Sequence, residues 1–326
     1  MVRIGNFLRT TTLLLAALGT ALAHGDPAYP VKPIRVVLPY SAGGAIDLFA
    51  RAFADAAGKT LGQNLIVDNK PGGNTFIGMG DCARSKPDGY TLCIINSDAL
   101  AVGPHAFTKM PYAPTKDLVG VASVVAPFTG VFARADAPFN DFKGMLAYAK
   151  ANPGKLNYGS WGSGSIAQLH LELFNQRLKA DMQGIPYKGS ADVLTAMLAG
   201  DVQVGYFTLG QMLPYVKEGK IRPMSISGAR RAPQLPNIPT MVELGADLGI
   251  RSEFGIYAPK ATPPQLVEKL NSAFVTALHD PKIQVLLSDQ GWEPLGTSVD
   301  AINKAMNVQF ESARAAYRDF NLKPVE

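Results

Sequence analysis

From residue 34 onward the apolar pattern alternates between two periods. Ile34-Arg35-Val36-Val37-Leu38 is a short β-branched run that ends at Pro39. The stretch from Ala45 to about Leu61 then carries apolar residues at 46, 49, 50, 53 and 57, the spacing of a helix with one buried face. Leu65-Ile66-Val67-Asp68 predicts the next strand, closed by the turn Asn69-Lys70-Pro71-Gly72-Gly73. A helix over 75–85, the turn Pro87-Asp88-Gly89 and a strand over 90–95 follow. Residues 119–134 are strand-rich, and the pattern then predicts a helix over 141–151, a strand over 156–158 and a helix over 165–179. Strands over 184–187, 202–207 and 221–226 alternate with helices over 190–199 and 210–218. A last strand over 254–257 precedes helices over 263–279, 281–290 and 298–319. This alternation predicts an α/β fold, with a parallel sheet covered by helices on both faces. No solenoid period and no low-complexity segment interrupts it.

The first 23 residues follow other rules. Arg3 and Arg9 supply a basic region, Leu13 to Leu18 an apolar run, and Ala21-Leu22-Ala23 a small-x-small cleavage site, the order of a secretory signal. The apolar run is too short to span a bilayer, and no later run reaches about 18 uninterrupted apolar residues. The mature chain is therefore expected to be exported and soluble, in the periplasm if the source is bacterial. His24 follows the cleavage site where a lipid anchor would need cysteine.

Length and charge narrow the reading. The chain has 326 residues, enough for about two domains, and its hydrophobic content of 47% is that of a globular protein. The net charge of +5 shrinks to +3 once Arg3 and Arg9 leave with the signal. No run of five Lys/Arg exists, so a nucleic-acid partner is excluded. Cys82 and Cys93 are the only two cysteines. Export permits a disulfide between them, and two buried free thiols, one on a helix and one on the next strand, fit equally. Four scattered histidines, His24, His105, His170 and His279, offer no metal-ligand spacing. No cofactor and no metal are expected, and the chain is expected to act as a monomer.

In open α/β sheets ligands bind beyond the carboxyl ends of strands, where loops lead into helices. Two such loops stand out: Pro39-Tyr40-Ser41-Ala42-Gly43-Gly44-Ala45-Ile46-Asp47 and Tyr158-Gly159-Ser160-Trp161-Gly162-Ser163-Gly164-Ser165. Each leaves the first-turn N–H groups of a helix without intrahelical partners, so each can hold an anion with backbone donors alone. Structural explanations compete for some of these residues. Ser165 with Gln168 fits a capping box, and Asp47 fits an early-turn acid complementing the helix dipole. Trp161, among glycines and serines, reads as a pocket wall. Arg51 reads as a surface or packing residue and His170 as a partly exposed helix residue.

Enzyme signatures fail. Gly159, Gly162 and Gly164 do not form G-x-G-x-x-G, and Lys188-Gly189-Ser190 has the wrong order for a phosphate-binding loop. There is no nucleophile elbow around Ser163, no serine followed three residues later by lysine, and no H-E-x-x-H. An exported hydrolase is the enzyme alternative, and it lacks its nucleophile; binding without catalysis is the expectation.

The run Tyr29-Pro30 through Ile34-Arg35-Val36-Val37-Leu38-Pro39-Tyr40-Ser41-Ala42-Gly43-Gly44 to Asp47 resembles the opening of the Bug (TctC-like) extracytoplasmic solute-binding proteins. Val67-Asp68-Asn69-Lys70-Pro71-Gly72, Pro87-Asp88-Gly89-Tyr90-Thr91-Leu92 and Ala151-Asn152-Pro153-Gly154-Lys155-Leu156-Asn157-Tyr158 continue the likeness in order. Pro186-Tyr187-Lys188-Gly189-Ser190, Leu198-Ala199-Gly200 and Pro236-Asn237-Ile238-Pro239-Thr240 extend it over essentially the whole mature chain.

The resemblance implies a two-lobed type II periplasmic-binding-protein (Venus flytrap) fold. Lobe 1 would be 24–125 plus 252–326 and lobe 2 would be 126–251. It implies that a small carboxylate is held between the lobes and delivered to the membrane permease of a tripartite tricarboxylate transporter, or presented to a membrane sensor. Carried over by position, the ligand-binding residues would be Tyr40, Ser41, Ala42, Gly43, Gly44 and Asp47, then Asn96 and Ser97. From the second lobe they would be Ser160, Trp161, Gly162, Ser163, Ser165, Tyr187, Phe207 and Thr208. The chain departs from the family pattern at several of these places. Tyr40-Ser41 stands where phenylalanine and proline are usual, Ala45 where glycine is frequent, and Ile166-Ala167-Gln168 where small hydroxyl residues and histidine are common. Phe207 replaces an acidic residue that would partner a ligand's ammonium group, unless it points into the lobe core. These changes favour an aromatic or apolar mono- or dicarboxylate over an amino acid or citrate.

Overall fold

Eleven strands and eleven helices follow one another through residues 29–161, 164–228 and 230–325, the residues described by the computed structural model. The signal segment 1–23 and the loop residues Gly162 and Ser163 lie outside them. In chain order the strands are β1 (Ile34–Leu38), β2 (Leu65–Asn69), β3 (Thr91–Asn96), β4 (Leu118–Pro127), β5 (Thr129–Arg134), β6 (Asn157–Ser160), β7 (Gln183–Pro186), β8 (Val204–Thr208), β9 (Ile221–Ser227), β10 (Phe254–Pro259) and β11 (Trp292–Pro294). The helices are α1 (Ala45–Leu61), α2 (Phe76–Ala83), α3 (Ser97–Ala106), α4 (Pro114–Asp117), α5 (Phe142–Ala151), α6 (Ile166–Glu172), α7 (Ser190–Ala199), α8 (Leu209–Lys217), α9 (Pro264–Ala277), α10 (Pro281–Gln290) and α11 (Val299–Asp319).

The strands form two sheets, one ordered β11-β4-β10-β3-β1-β2 and the other β7-β6-β8-β5-β9. The chain leaves the first sheet after Pro127, enters the second at Thr129, and returns between Ser227 and Phe254. Neither sheet is purely parallel, which corrects the sequence expectation. β1 runs parallel to β2 and β3, and β6 parallel to β7 and β8. β10 is antiparallel to β3 and β4, and β5 is antiparallel to β8 and β9. β11 is antiparallel to β4 as well, at the sheet edge, while β5 and β10 are the strands entered by crossing from the other sheet. A parallel neighbour needs a helical crossover, and these two entries have none.

Both faces of each sheet are covered, so the strands alternate between two cores rather than between core and solvent. In the first sheet Val36, Leu38, Leu92 and Ile94 pack with Phe49, Phe53 and Phe274 of α1 and α9. Val37, Cys93 and Ile95 face the other way, onto Met79, Leu100 and Ile302. In the second sheet Val131, Tyr158 and Tyr206 pack with α5 and α6, whereas Phe132 and Phe207 face Val193 and Met197 of α7. Helix α1 ends at Gly62, whose φ of 68° is the left-handed conformation that glycine adopts without a Cβ penalty.

Three helical features differ from the sequence pattern, the four-residue α4, absent from it, being the smallest. Helix α3 has no counterpart there, because Gly103 and Pro104 lie within it; its start is fixed by the Asn96 side chain, which accepts from the Asp98 N–H. The helix predicted over 165–179 is α6 continued by a π-helical turn, Leu173–Arg177. Among the described residues, no helix is long and apolar enough to cross a membrane.

Helix α2 is joined to β3 by a Cys82–Cys93 disulfide, and both residues are fully buried. Closing so short a loop restricts the unfolded chain, an effect of about 2–3 kcal/mol in the chain-entropy account. Protein refolded with and without reductant should therefore unfold at different urea midpoints, the reduced form earlier by about that free energy. Equal midpoints would show that the bond contributes nothing.

Candidate functional site

The segments that follow β1, β2 and β3 in one sheet, and β6, β7 and β8 in the other, line one cleft of about 610 Å³. Its walls are aromatic. Tyr40, Phe76, Phe107 and Phe254 come from the side of the six-stranded sheet, and Trp161 and Tyr206 from the five-stranded one. Tyr40 and Phe254 meet edge to face at 6.0 Å, as do Phe76 and Phe107 at 5.1 Å. The Asn96 N–H donates to the Tyr40 hydroxyl, which fixes that ring over the end of β3.

Tyr206 is the hub of the opposite wall. Its hydroxyl lies 2.7 Å from Thr129 Oγ1 and donates to Ser227 Oγ, while its ring stacks on His170 at 4.5 Å. Burial pushes the phenol up to about 12 and the imidazole down to about 4, so both are neutral throughout the physiological range. His170 is 3% exposed, not partly exposed as the helix pattern suggested, and its Nδ1–H donates to the Ile166 carbonyl. Trp161 sits half-buried 6.2 Å from Tyr206.

Two charged side chains line the cleft among the described residues, Asp98 and Lys188. Asp98 stands in the first turn of α3, half-buried, and accepts from the Ser252 hydroxyl at 3.5 Å. Burial pushes its carboxyl up to about 6. Lys188 is exposed just ahead of α7. The residue preceding α7 is Gly189 and that preceding α8 is Thr208, and neither caps its helix with a side chain. Both helices start at the cleft without a side-chain cap, although the Leu209 N–H of α8 already donates to the Phe128 carbonyl.

The sequence-predicted residues divide into three groups. Tyr40, Asn96, Trp161, Ser165, Phe207 and Thr208 line the cleft, although Ser165 also caps α6 by accepting from the Gln168 N–H. Phe207 reaches it only marginally. It is 1% exposed, and its ring packs 6.4 Å from Phe132 in the core under α7. A second group shapes the surroundings without lining the cleft. Asp47 is 3% exposed and accepts from Gly43 N–H, Arg51 and Asn69, so it holds loop one and keeps Arg51 away from the cleft. The Gly43 N–H is the largest cause holding that carboxyl below the usual carboxylate range. Ser97 is buried and donates to the Arg251 carbonyl, Ser160 is buried at the end of β6, and Tyr187 packs half-buried on the α7–α8 core. Ser41, Ala42, Gly43 and Gly44 form the third group, exposed outside the cleft lining.

Sequence reasoning missed Asp98, Lys188, Tyr206, Ser252 and Phe254. It also missed the turn at Asn74 and Thr75, whose φ values of 51° and 74° are rare for residues with a Cβ. The turn read from the sequence, Asn69-Lys70-Pro71-Gly72-Gly73, stopped one residue short of it.

A carboxyl whose folded-state pKa exceeds its unfolded value stabilises the fold at low pH, and that contribution is lost as pH rises through the folded value. Asp98 therefore burdens the empty protein above about pH 6. Asp98→Asn should raise stability by about 1–3 kcal/mol at pH 7.5, with the gain vanishing near pH 4. Thermal unfolding of both proteins at the two pH values checks this, and a gain independent of pH would contradict it.

The sequence pattern of the TctC family, described as the tripartite tricarboxylate transporter family receptor, matches residues 49–322. The chain is 38% identical over 296 residues to the "UPF0065 protein in gbd 5'region" of Cupriavidus necator, covering 90% of this chain and 88% of that one. Among solved structures it is similar to one described as a periplasmic transporter, at 35% identity and a TM-score of 0.78, covering 91% of this chain and 99% of that one. It is also similar to Rpa4515 of R. palustris with adipate, at 27% identity, a TM-score of 0.78 and coverage of 91% and 100%. MatC of Rhodopseudomonas palustris with bound malate matches at 28% identity, a TM-score of 0.73 and coverage of 88% and 99%. With two α/β sheets facing one cleft, the chain belongs to the TctC family of two-lobed solute-binding receptors, which are not enzymes.

Proposed function

We propose that this protein is a periplasmic receptor that captures a small aromatic or apolar mono- or dicarboxylate between its lobes and hands it to a tripartite tricarboxylate transporter permease. The observation that carries the reading is the composition of the cleft. Aromatic rings from both sheets surround it, and Lys188 with the uncapped starts of α7 and α8 supplies the donors for an anion. The similar structures holding adipate and malate support a carboxylate cargo. The apolar walls favour the adipate-like end of that range.

In this reading lobe 1 comprises 24–125 and 252–326, and lobe 2 comprises 126–251. Loop one, Ser41–Gly44, lies outside the cleft lining and joins the ligand when the lobes close, adding the first-turn donors of α1 to those of α7 and α8. A ligand that gains donors on closure binds the closed form more tightly, and that difference drives the population toward it. The protein acts as a monomer, and its signal segment directs it to the periplasm.

Thermal-shift measurements on the mature protein test the cargo. Benzoate, phenylacetate and adipate should raise the melting temperature at millimolar concentration, and citrate should not. A shift with citrate and none with the other three would refute the apolar assignment. Lys188→Met should weaken binding of the best acid by about tenfold, the scale of one charge-assisted hydrogen bond, in isothermal titration calorimetry. Unchanged affinity would remove Lys188 from the site.

A further inference from the structure

Capture of a plain carboxylate leaves one cleft residue without a use. Asp98 faces the same space as the anion, and an ionised acid there opposes a carboxylate cargo. Building on the apolar-carboxylate reading, narrowed to acids with a single carboxylate and reversing the sequence expectation against amino acids, we propose that the cargo carries a protonated amine at the end opposite its carboxylate, and that Asp98 is the residue that recognises it.

The local structure does not need an aspartate at this position. The cap of α3 is supplied by Asn96, whose side chain accepts from the Asp98 N–H, and the amide of Asn96 donates to Ser252 Oγ. An ionised carboxylate has about four acceptor positions. Those of Asp98 meet the Ser252 hydroxyl at 3.5 Å and the neighbouring Ala99 N–H, and among the described residues it forms no salt bridge. Its raised pKa reflects this incomplete solvation of the charged form. An ammonium group would supply the missing donors and the missing opposite charge together.

The cleft is also polarised in the sense such a cargo requires. The acid stands on α3, beside the six-stranded sheet, and Lys188 stands ahead of α7, beside the five-stranded one. Between them lie aromatic walls, whose ring faces suit both an apolar body and a cation. The replacement of an acid by Phe207 therefore does not leave the cleft without an anionic partner. One is provided from the opposite side, at the start of α3.

Matched pairs of ligands test this by isothermal titration calorimetry at pH 7.5. The pairs are 4-(aminomethyl)benzoate with 4-methylbenzoate, 3-(aminomethyl)benzoate with 3-methylbenzoate, and 6-aminohexanoate with hexanoate. At least one amine-bearing acid should bind about tenfold or more tightly than its partner, and that preference should disappear in Asp98→Asn. Circular dichroism of the variant shows that it is folded. Binding of the methyl acids with no amine preference, or a preference that survives Asp98→Asn, overturns the proposal and leaves carboxylate capture standing. Failure of all six acids to bind overturns the proposal, and carboxylate capture falls with it only if benzoate, phenylacetate and adipate also give no thermal shift.

Discussion

The cleft depends on one junction, where β3 ends, α3 begins and the chain returning from the second sheet passes beside them. The Ser97 N–H donates to the Glu253 carbonyl at 2.7 Å, and the Ser97 hydroxyl donates to the Arg251 carbonyl and accepts from the Glu253 N–H. The Asn96 amide adds a bond to Ser252 Oγ at 2.8 Å. The returning segment is held from its other side as well. The Arg251 N–H donates to Gln309 of α11, and the Arg251 guanidinium pairs with Asp247. These bonds satisfy backbone groups that a buried crossing would otherwise leave unpaired, and they set where Asp98 and Ser252 enter the cleft. Ser97 is thus a structural member of the site rather than a ligand.

A second constraint is apolar. Helix α11 packs along α3, and its two halves belong to different cores. Ile302 and Met306 pack with Val37, Cys93 and Tyr257 under the first sheet. Ala313, Ala316, Tyr317 and Phe320 share a cluster with Val131, Tyr158 and Phe174 of the second sheet and with Ala101, Val102 and Ala106 of α3. The two sheets are therefore bridged by a continuous buried surface and are more than two bodies on a string. Close-packed surfaces resist continuous deformation, so a rotation of one sheet against the other would have to run along the α3–α11 contact.

The regular elements were largely legible because each strand is a run of β-branched and aromatic residues and each helix buries one periodic face. Strand direction was not. It depends on whether the chain crosses between sheets through a helix or directly, as it does at Pro127–Thr129, and that is a property of the whole topology. Within the site, the loops announced themselves through small residues at the ends of strands, and Trp161 was conspicuous among them. The side chains that line the cleft from inside regular elements carried no such mark. Tyr206 lies on a strand buried on both faces, where nothing in its spacing separates a cleft wall from a core residue. Asp98 opens a helix whose own pattern is obscured by Gly103 and Pro104. Phe207, singled out because it departs from a family pattern, turned its ring into the core, since alternation along β8 puts neighbouring side chains on opposite faces.

The distribution of positive charge bears on what a receptor must do after capture. Arginine would give the firmest grip on a carboxylate through paired, geometrically matched hydrogen bonds. The nearby arginines are engaged elsewhere: Arg51 with Asp47 and Asn69, and Arg251 with Asp247. What faces the cleft instead is one exposed lysine and the starts of helices α7 and α8. Each helix start is worth only about 0.3–1 kcal/mol to an anion at a partly exposed position. These donors all stand beside the five-stranded sheet, so they hold an anion from one wall of the cleft, and the rings of the six-stranded side complete the enclosure. Without an arginine clamp among the described cleft residues, the grip on an anion is made of individually weak interactions.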